Sequence, residues 1–146
     1  MTLLTENTTF MEHYHGYFTG IMRWPDLALF WQSLLGHNDG KWFVYTTAED
    51  LPLKPLTSDD FSQFIAYADE LLRSQHQQSY CGIVYVDDLT SPSFIKVYDP
   101  KNLGVSCGYS DNPPLPKWVI SRLPPVKLED ATKIPSRWKK LLHRFV

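Results

Sequence analysis

Apolar residues recur at helical spacing in some stretches and alternate or run together in others, a mixture that predicts an α+β fold. Leu27, Phe30, Trp31, Leu34 and Leu35 form one helical stripe, with Pro25 suited to a first turn and Gly36 to a left-handed C-terminal cap. Phe61, Phe64, Ile65, Ala68, Leu71 and Leu72 form a second, with Phe64 expected at the centre of its buried face. Thr57 can cap this helix, Asp60 completes a weak capping box, and Leu56 is placed to staple onto Phe61. Ile134, Trp138, Leu141, Leu142 and Phe145 predict a C-terminal amphipathic helix, with Pro135 in its first turn. Near the start, Phe10, Tyr14, Tyr17, Phe18 and Ile21 also follow a helical spacing, and Thr9 with Glu12 would cap such a helix, although Gly16 and Gly20 weaken it. A strand there would instead put His13 and His15 on one face.

Strand signals fall between these helices. Lys41 to Thr47 is aromatic and β-branched, with Trp42 and Val44 sharing a face. Tyr80 to Val86 and Phe94 to Tyr98 read as a hairpin around Asp87-Asp88-Leu89-Thr90-Ser91-Pro92. Asp99-Pro100-Lys101-Asn102 is a turn signal leading to Leu103, Val105 and Cys107 at alternating positions, which would complete a three-stranded meander over 80–107. Pro113-Pro114-Leu115-Pro116 and Pro124-Pro125 bracket Lys117 to Leu123, a length suited to one or two helical turns. The expected architecture is one α+β domain over 1–146. Its antiparallel sheet, including the meander, is packed by two amphipathic helices and a C-terminal helix.

Composition narrows the function more than the fold. With 146 residues and 43% hydrophobic content the chain can build one core. A net charge of −2 disfavours a dedicated nucleic-acid binder, and no apolar run approaches the roughly 20 residues of a membrane span. The charge is uneven: residues 1–115 carry 6 basic and 14 acidic residues, residues 116–146 carry 8 and 2. This basic C-terminal segment, 116–146, is expected to dock on the acidic body, while Lys139, Lys140 and Arg144 are the candidates for contact with an anionic partner. Two cysteines and no secretory pattern at the start of the chain point to a reducing, cytoplasmic setting.

Four features could carry chemistry. Cys107, in Gly104-Val105-Ser106-Cys107-Gly108, is a candidate nucleophile if folding brings a histidine near; the plainer reading is a packed thiol. In the expected meander Cys81 faces Tyr98 and Cys107 faces Phe94, about 13 Å apart along the strands, so the two remain separate thiols. His13 and His15 are candidate metal ligands on a strand, but on a helix they diverge by about 200° and serve no common ion. The acidic pairs Glu49-Asp50, Asp59-Asp60, Asp69-Glu70 and Asp87-Asp88 fit helix starts and turns as well as acid–base work, and Pro113-Pro114-Leu115-Pro116 fits a rigid connection as well as a polyproline ligand. No phosphate-binding glycine loop, EF-hand or nucleophile elbow is present, and no cofactor is expected. The expectation is a small cytoplasmic interaction or regulatory protein with a protein partner. Its rivals are a thiol enzyme at Cys107 and a metal-binding module at His13 and His15.

Overall fold

A computed structural model describes residues 3–76, 78–102 and 114–128. In chain order these form α1 (Leu3–Tyr14), β1 (Thr19–Ile21), α2 (Trp24–Leu35), β2 (Phe43–Thr46), α3 (Ser58–Gln75), β3 (Val84–Val86), β4 (Phe94–Val97), a 3₁₀ turn (Pro100–Asn102) and β5 (Trp118–Ser121). The strands build one fully antiparallel sheet in the order β1-β3-β4-β5-β2. Val84 faces Val97, and Val97 faces Trp118. Among the described residues no helix is long and apolar enough to cross a membrane.

Local chemistry accounts for most of the boundaries. Pro25 occupies the first turn of α2, where its missing N–H costs nothing. Thr57 caps α3: its hydroxyl accepts the Asp60 N–H at 3.1 Å, with Asp59 and Asp60 beside the positive end of the helix dipole. The β3–β4 turn is built by Asp87. One of its carboxylate oxygens accepts the Ser93 and Phe94 N–H groups at 3.0 Å, and the other takes the Ser93 hydroxyl at 2.5 Å.

Both faces of the sheet are buried. Leu27, Phe30, Trp31 and Leu34 of α2, with Phe61, Ile65, Ala68 and Leu72 of α3, pack on Ile21, Val84, Val86, Ile95, Val97 and Ile120. On the other face Phe10 and Tyr14 of α1 pack with Leu128 on Tyr45, Phe94 and Val119. Ile95 and Ile120 point one way, Phe94 and Val119 the other, as the period-2 pleat requires.

Several expectations change. The N-terminal helix begins at Leu3, so Thr9 lies within it, and it ends before Gly16; Thr19 to Ile21 instead find backbone partners on β3. Gly36 is right-handed (φ −68°) because the helical turn continues into His37 and Asn38; the left-handed residue of the α2–β2 connection is Gly40 (φ +78°). Phe64 is half-buried at the flank of α3, edge-on to Trp118 at 5.3 Å, while Phe61, Ile65, Ala68 and Leu72 form the buried stripe. Lys117 to Leu123 contains β5 rather than helical turns, since Trp118 to Ser121 have strands on both edges and burial on both faces. The third strand of the meander is therefore β5: both edges of β4 are taken, by β3 and by β5, so no place beside it remains for 103–107. The β3–β4 register also differs by two residues from the expected one, with the Tyr98 N–H donating to the Ile83 carbonyl. Residues 103–107 and the expected C-terminal helix at 134–145 lie outside the described residues.

Phe61→Ala is expected to lower the unfolding free energy by about 3–5 kcal/mol, and Phe64→Ala by distinctly less, because only Phe61 is fully enclosed. Urea denaturation of both variants checks this; equal losses would contradict the packing described.

Candidate functional site

Of the residues singled out by sequence, Cys107, Lys139, Lys140 and Arg144 lie outside the described residues. His13 sits in the last turn of α1, where its ring Nδ1–H donates to the Thr9 carbonyl at 3.0 Å. His15 follows the helix, its ring edge-on to Tyr14, and burial with the nearby Lys96 charge lowers its pKa. Among the described residues no group of three or more His, Cys, Asp or Glu side chains is placed to hold a metal ion. Cys81 is a free, buried thiol whose pKa is pushed up chiefly by that burial, which disfavours the nucleophilic thiolate. Of the acidic pairs, Asp69 accepts the Trp31 indole N–H and the Arg73 guanidinium, so it joins α2 to α3. Leu115 of the proline-rich stretch packs into the second core.

Three places bring polar or exposed apolar groups together. The first is a polar notch of about 350 Å³ between the end of α2 and the β3–β4 turn. Arg122 fills its electrostatic need internally: it pairs with Asp39 at 2.6 Å, holds that carboxyl below its usual pKa range, and lies 5.1 Å over the Trp42 ring. A charge pair already satisfied in this way is a tie between β5 and the α2–β2 turn, not a vacancy for a ligand.

The second lies on the α1 face. The Lys96 ammonium stands 4.1 Å from the centroids of both the Tyr14 and the Phe18 rings, and makes no ion pair with a described residue. Next to it, the bare Cα of Gly20 lets the Tyr85 ring lie across β1; a Cβ there would come within 3.1 Å of that ring. Burial lowers the Lys96 pKa to about 8, while the two rings favour the cation and so oppose that effect.

The third is a groove of about 500 Å³ between β1, α2 and the β3–β4 turn. Three apolar side chains converge on it while remaining open to solvent: Met22 (53% exposed), Leu29 (63%) and Leu89 (45%). Each is presented for a local reason. Met22 sits in the joint between β1 and α2, Leu29 lies off the buried stripe of α2, and Leu89 rides a turn tightened by the Asp88 carboxylate on the Thr90 and Ser91 N–H groups. Ile21 and Phe30 make the floor, and Arg23, Asp26 and Ser33 the polar rim. Among the described strands β1 has a neighbour on one side only. At the other end of the sheet the loop over 51–56 folds back to the residue before β2, the Leu56 N–H donating to the Trp42 carbonyl at 2.9 Å. An open strand edge beside exposed apolar side chains is where an extended segment adds to a sheet. The sequence reading did not single out this groove. Its signals were Leu29, apolar yet outside the stripe of its helix, and Leu89, apolar within a polar turn.

Comparison of the chain with family models, curated proteins and solved structures returned no match.

The pH dependence of stability tests the Lys96 environment. Its folded pKa of about 8 lies below the ordinary 10.5, so the cost of burying the charge is fully present below about pH 8. Between those values the unfolded chain binds more protons, and stability from this group rises with pH. Lys96→Met should therefore be more stable than the parent at pH 7, with the gain shrinking as pH approaches about 10. Thermal melts at both pH values check this, and a pH-independent difference would contradict the burial of this amine.

Proposed function

We propose that the protein is a small cytoplasmic interaction or regulatory protein that takes an extended polypeptide segment in the groove beside β1. The reading rests on one observation: Met22, Leu29 and Leu89 converge, exposed, beside β1, which has a neighbour on one side only among the described strands of a sheet whose two faces are buried. An incoming strand would gain main-chain hydrogen bonds from β1 and bury alternate side chains against these three. Burying a large apolar side chain fully contributes roughly 1.5–3 kcal/mol, enough for three such contacts to support recognition after the cost of ordering the segment. The buried free thiol Cys81 suits a reducing compartment.

Affinity capture from the source cell tests this with the intact chain and two variants. Leu29→Asp places a charge in the groove and should weaken capture of a specific partner by about tenfold or more. Leu53→Asp, at a side chain 99% exposed but outside the groove, should leave it unchanged. Equal capture by all three baits would refute the groove as the docking surface.

A further inference from the structure

We propose that Lys96 is a covalent site for carbonyl compounds, its side-chain amine condensing with the aldehyde of a molecule whose body is aromatic or apolar. The site lies on the α1 face of the sheet, whereas Ile21 and Phe30, the floor of the groove, belong to the core on the other face, so the two proposals stand or fall separately. The pleat delivers the amine. Ile95 and Val97 pack with α2 and α3, so Lys96 between them points to α1, across from Tyr85 in the register. There the Lys96 ammonium stands 4.1 Å from the ring centroids of both Tyr14 and Phe18, and the Tyr85 ring meets that of Tyr98 edge-on at 5.7 Å. The titratable groups around it are Tyr14 of α1, His15 just after it, Tyr85 of β3 and Tyr98 just after β4; no described carboxylate pairs with it. Two rings attract the cation without neutralising its charge, and an apolar side chain would fill the same place at less cost. What an amine adds there is a desolvated nucleophile.

The neighbours supply the proton chemistry. Burial brings the Lys96 pKa to about 8, so roughly a tenth of the amine is neutral at pH 7, against less than about 0.1% of an ordinary lysine. The His15 ring is 5.1 Å from that of Tyr14, and burial with the Lys96 charge lowers its pKa, leaving an uncharged base for the ammonium proton. Burial raises the Tyr14 pKa, so its hydroxyl stays a proton donor for the carbonyl oxygen. The amine lone pair adds to the carbonyl carbon, the oxygen is protonated, and a carbinolamine forms. That oxygen then leaves as water with both protons of the amine as a C=N bond replaces C=O; nothing is oxidised or reduced. Aromatic walls, with no second cation among the described residues shifting Lys96, favour an aldehyde with an aromatic or apolar body over a carboxylated one. Phe18 is half-buried and His15 exposed, which leaves this side of the site open to solvent.

Reductive trapping tests the inference on the full chain. Benzaldehyde is the probe and glyoxylate the carboxylated comparison, each with cyanoborohydride to reduce the imine to a stable amine, and peptide mass spectrometry reads the rate at each lysine. At pH 7 benzaldehyde should label Lys96 about tenfold or more faster than the exposed Lys41, Lys54 and Lys101, and about tenfold faster than glyoxylate does. The Lys96 rate should saturate as benzaldehyde rises, unlike that of an added tripeptide whose α-amine has an ordinary pKa near 8. It should also level off above about pH 8, while the exposed lysines climb on towards pH 10. His15→Gln should lower the maximal rate about tenfold, and Phe18→Ala should raise the half-saturating concentration about fivefold. A Lys96 rate equal to those of the exposed lysines, or one that grows in proportion to benzaldehyde as the tripeptide's does, overturns the inference. Equal labelling by glyoxylate overturns the ligand class, and rates untouched by both substitutions overturn the site.

Discussion

The structure depends on β5 lying between β4 and β2. That placement joins a segment near residue 120 to strands near 45 and 95, and completes a five-stranded sheet with apolar side chains on both faces. A sheet buried on one side leaves a polar face to solvent; this one has Ile95 and Ile120 on one side and Phe94 and Val119 on the other, and needs cover on both. The helices follow from that demand. α2 and α3 cover the first face, and α1, with flanking residues up to Leu128, covers the second.

Burying both faces leaves the edges as the places where main-chain groups remain available. The loop over 51–56 is tied to Trp42, just before β2, while β1 borders a groove with exposed Met22, Leu29 and Leu89. The charged side chains of α3 and of the notch beside Arg122 are paired within the fold. Arg122 is tied to Asp39, and Arg73 to Asp69 with its guanidinium 5.0 Å over Trp24. Lys96 is held between aromatic rings at a cost in burial, a constraint on how α1 seats against the sheet. Recognition at the edge then draws on backbone hydrogen bonding and apolar contact rather than on a charged pocket.

Much of this was legible in local chemistry, because caps and turns are short-range. Thr57, Pro25 and the Asp87 turn declared themselves, as did the apolar runs of β3 and β4. What failed was non-local. Trp118 to Ser121 sit between proline pairs and read as helical turns until the partners on both edges are known; the same partners close the place beside β4 expected for 103–107. Phe64 fits the helical stripe in spacing, yet the stripe is centred one position away, which only the packing of α3 on the sheet reveals. The groove was illegible for a related reason. Exposed leucines are common singly, and Met22, Leu29 and Leu89, far apart in sequence, become a surface only when α2 and the β3–β4 turn meet beside β1.

Amide hydrogen exchange of the chain alone and with its captured partner tests most directly that β1 is the contact edge of this sheet. The account predicts that amides of β1, over 19–21, gain protection when the partner is bound, while those of β2, over 43–46, exchange at a constant rate. Exchange at 19–21 that is indifferent to the partner, or protection that arises at 43–46 instead, would contradict it.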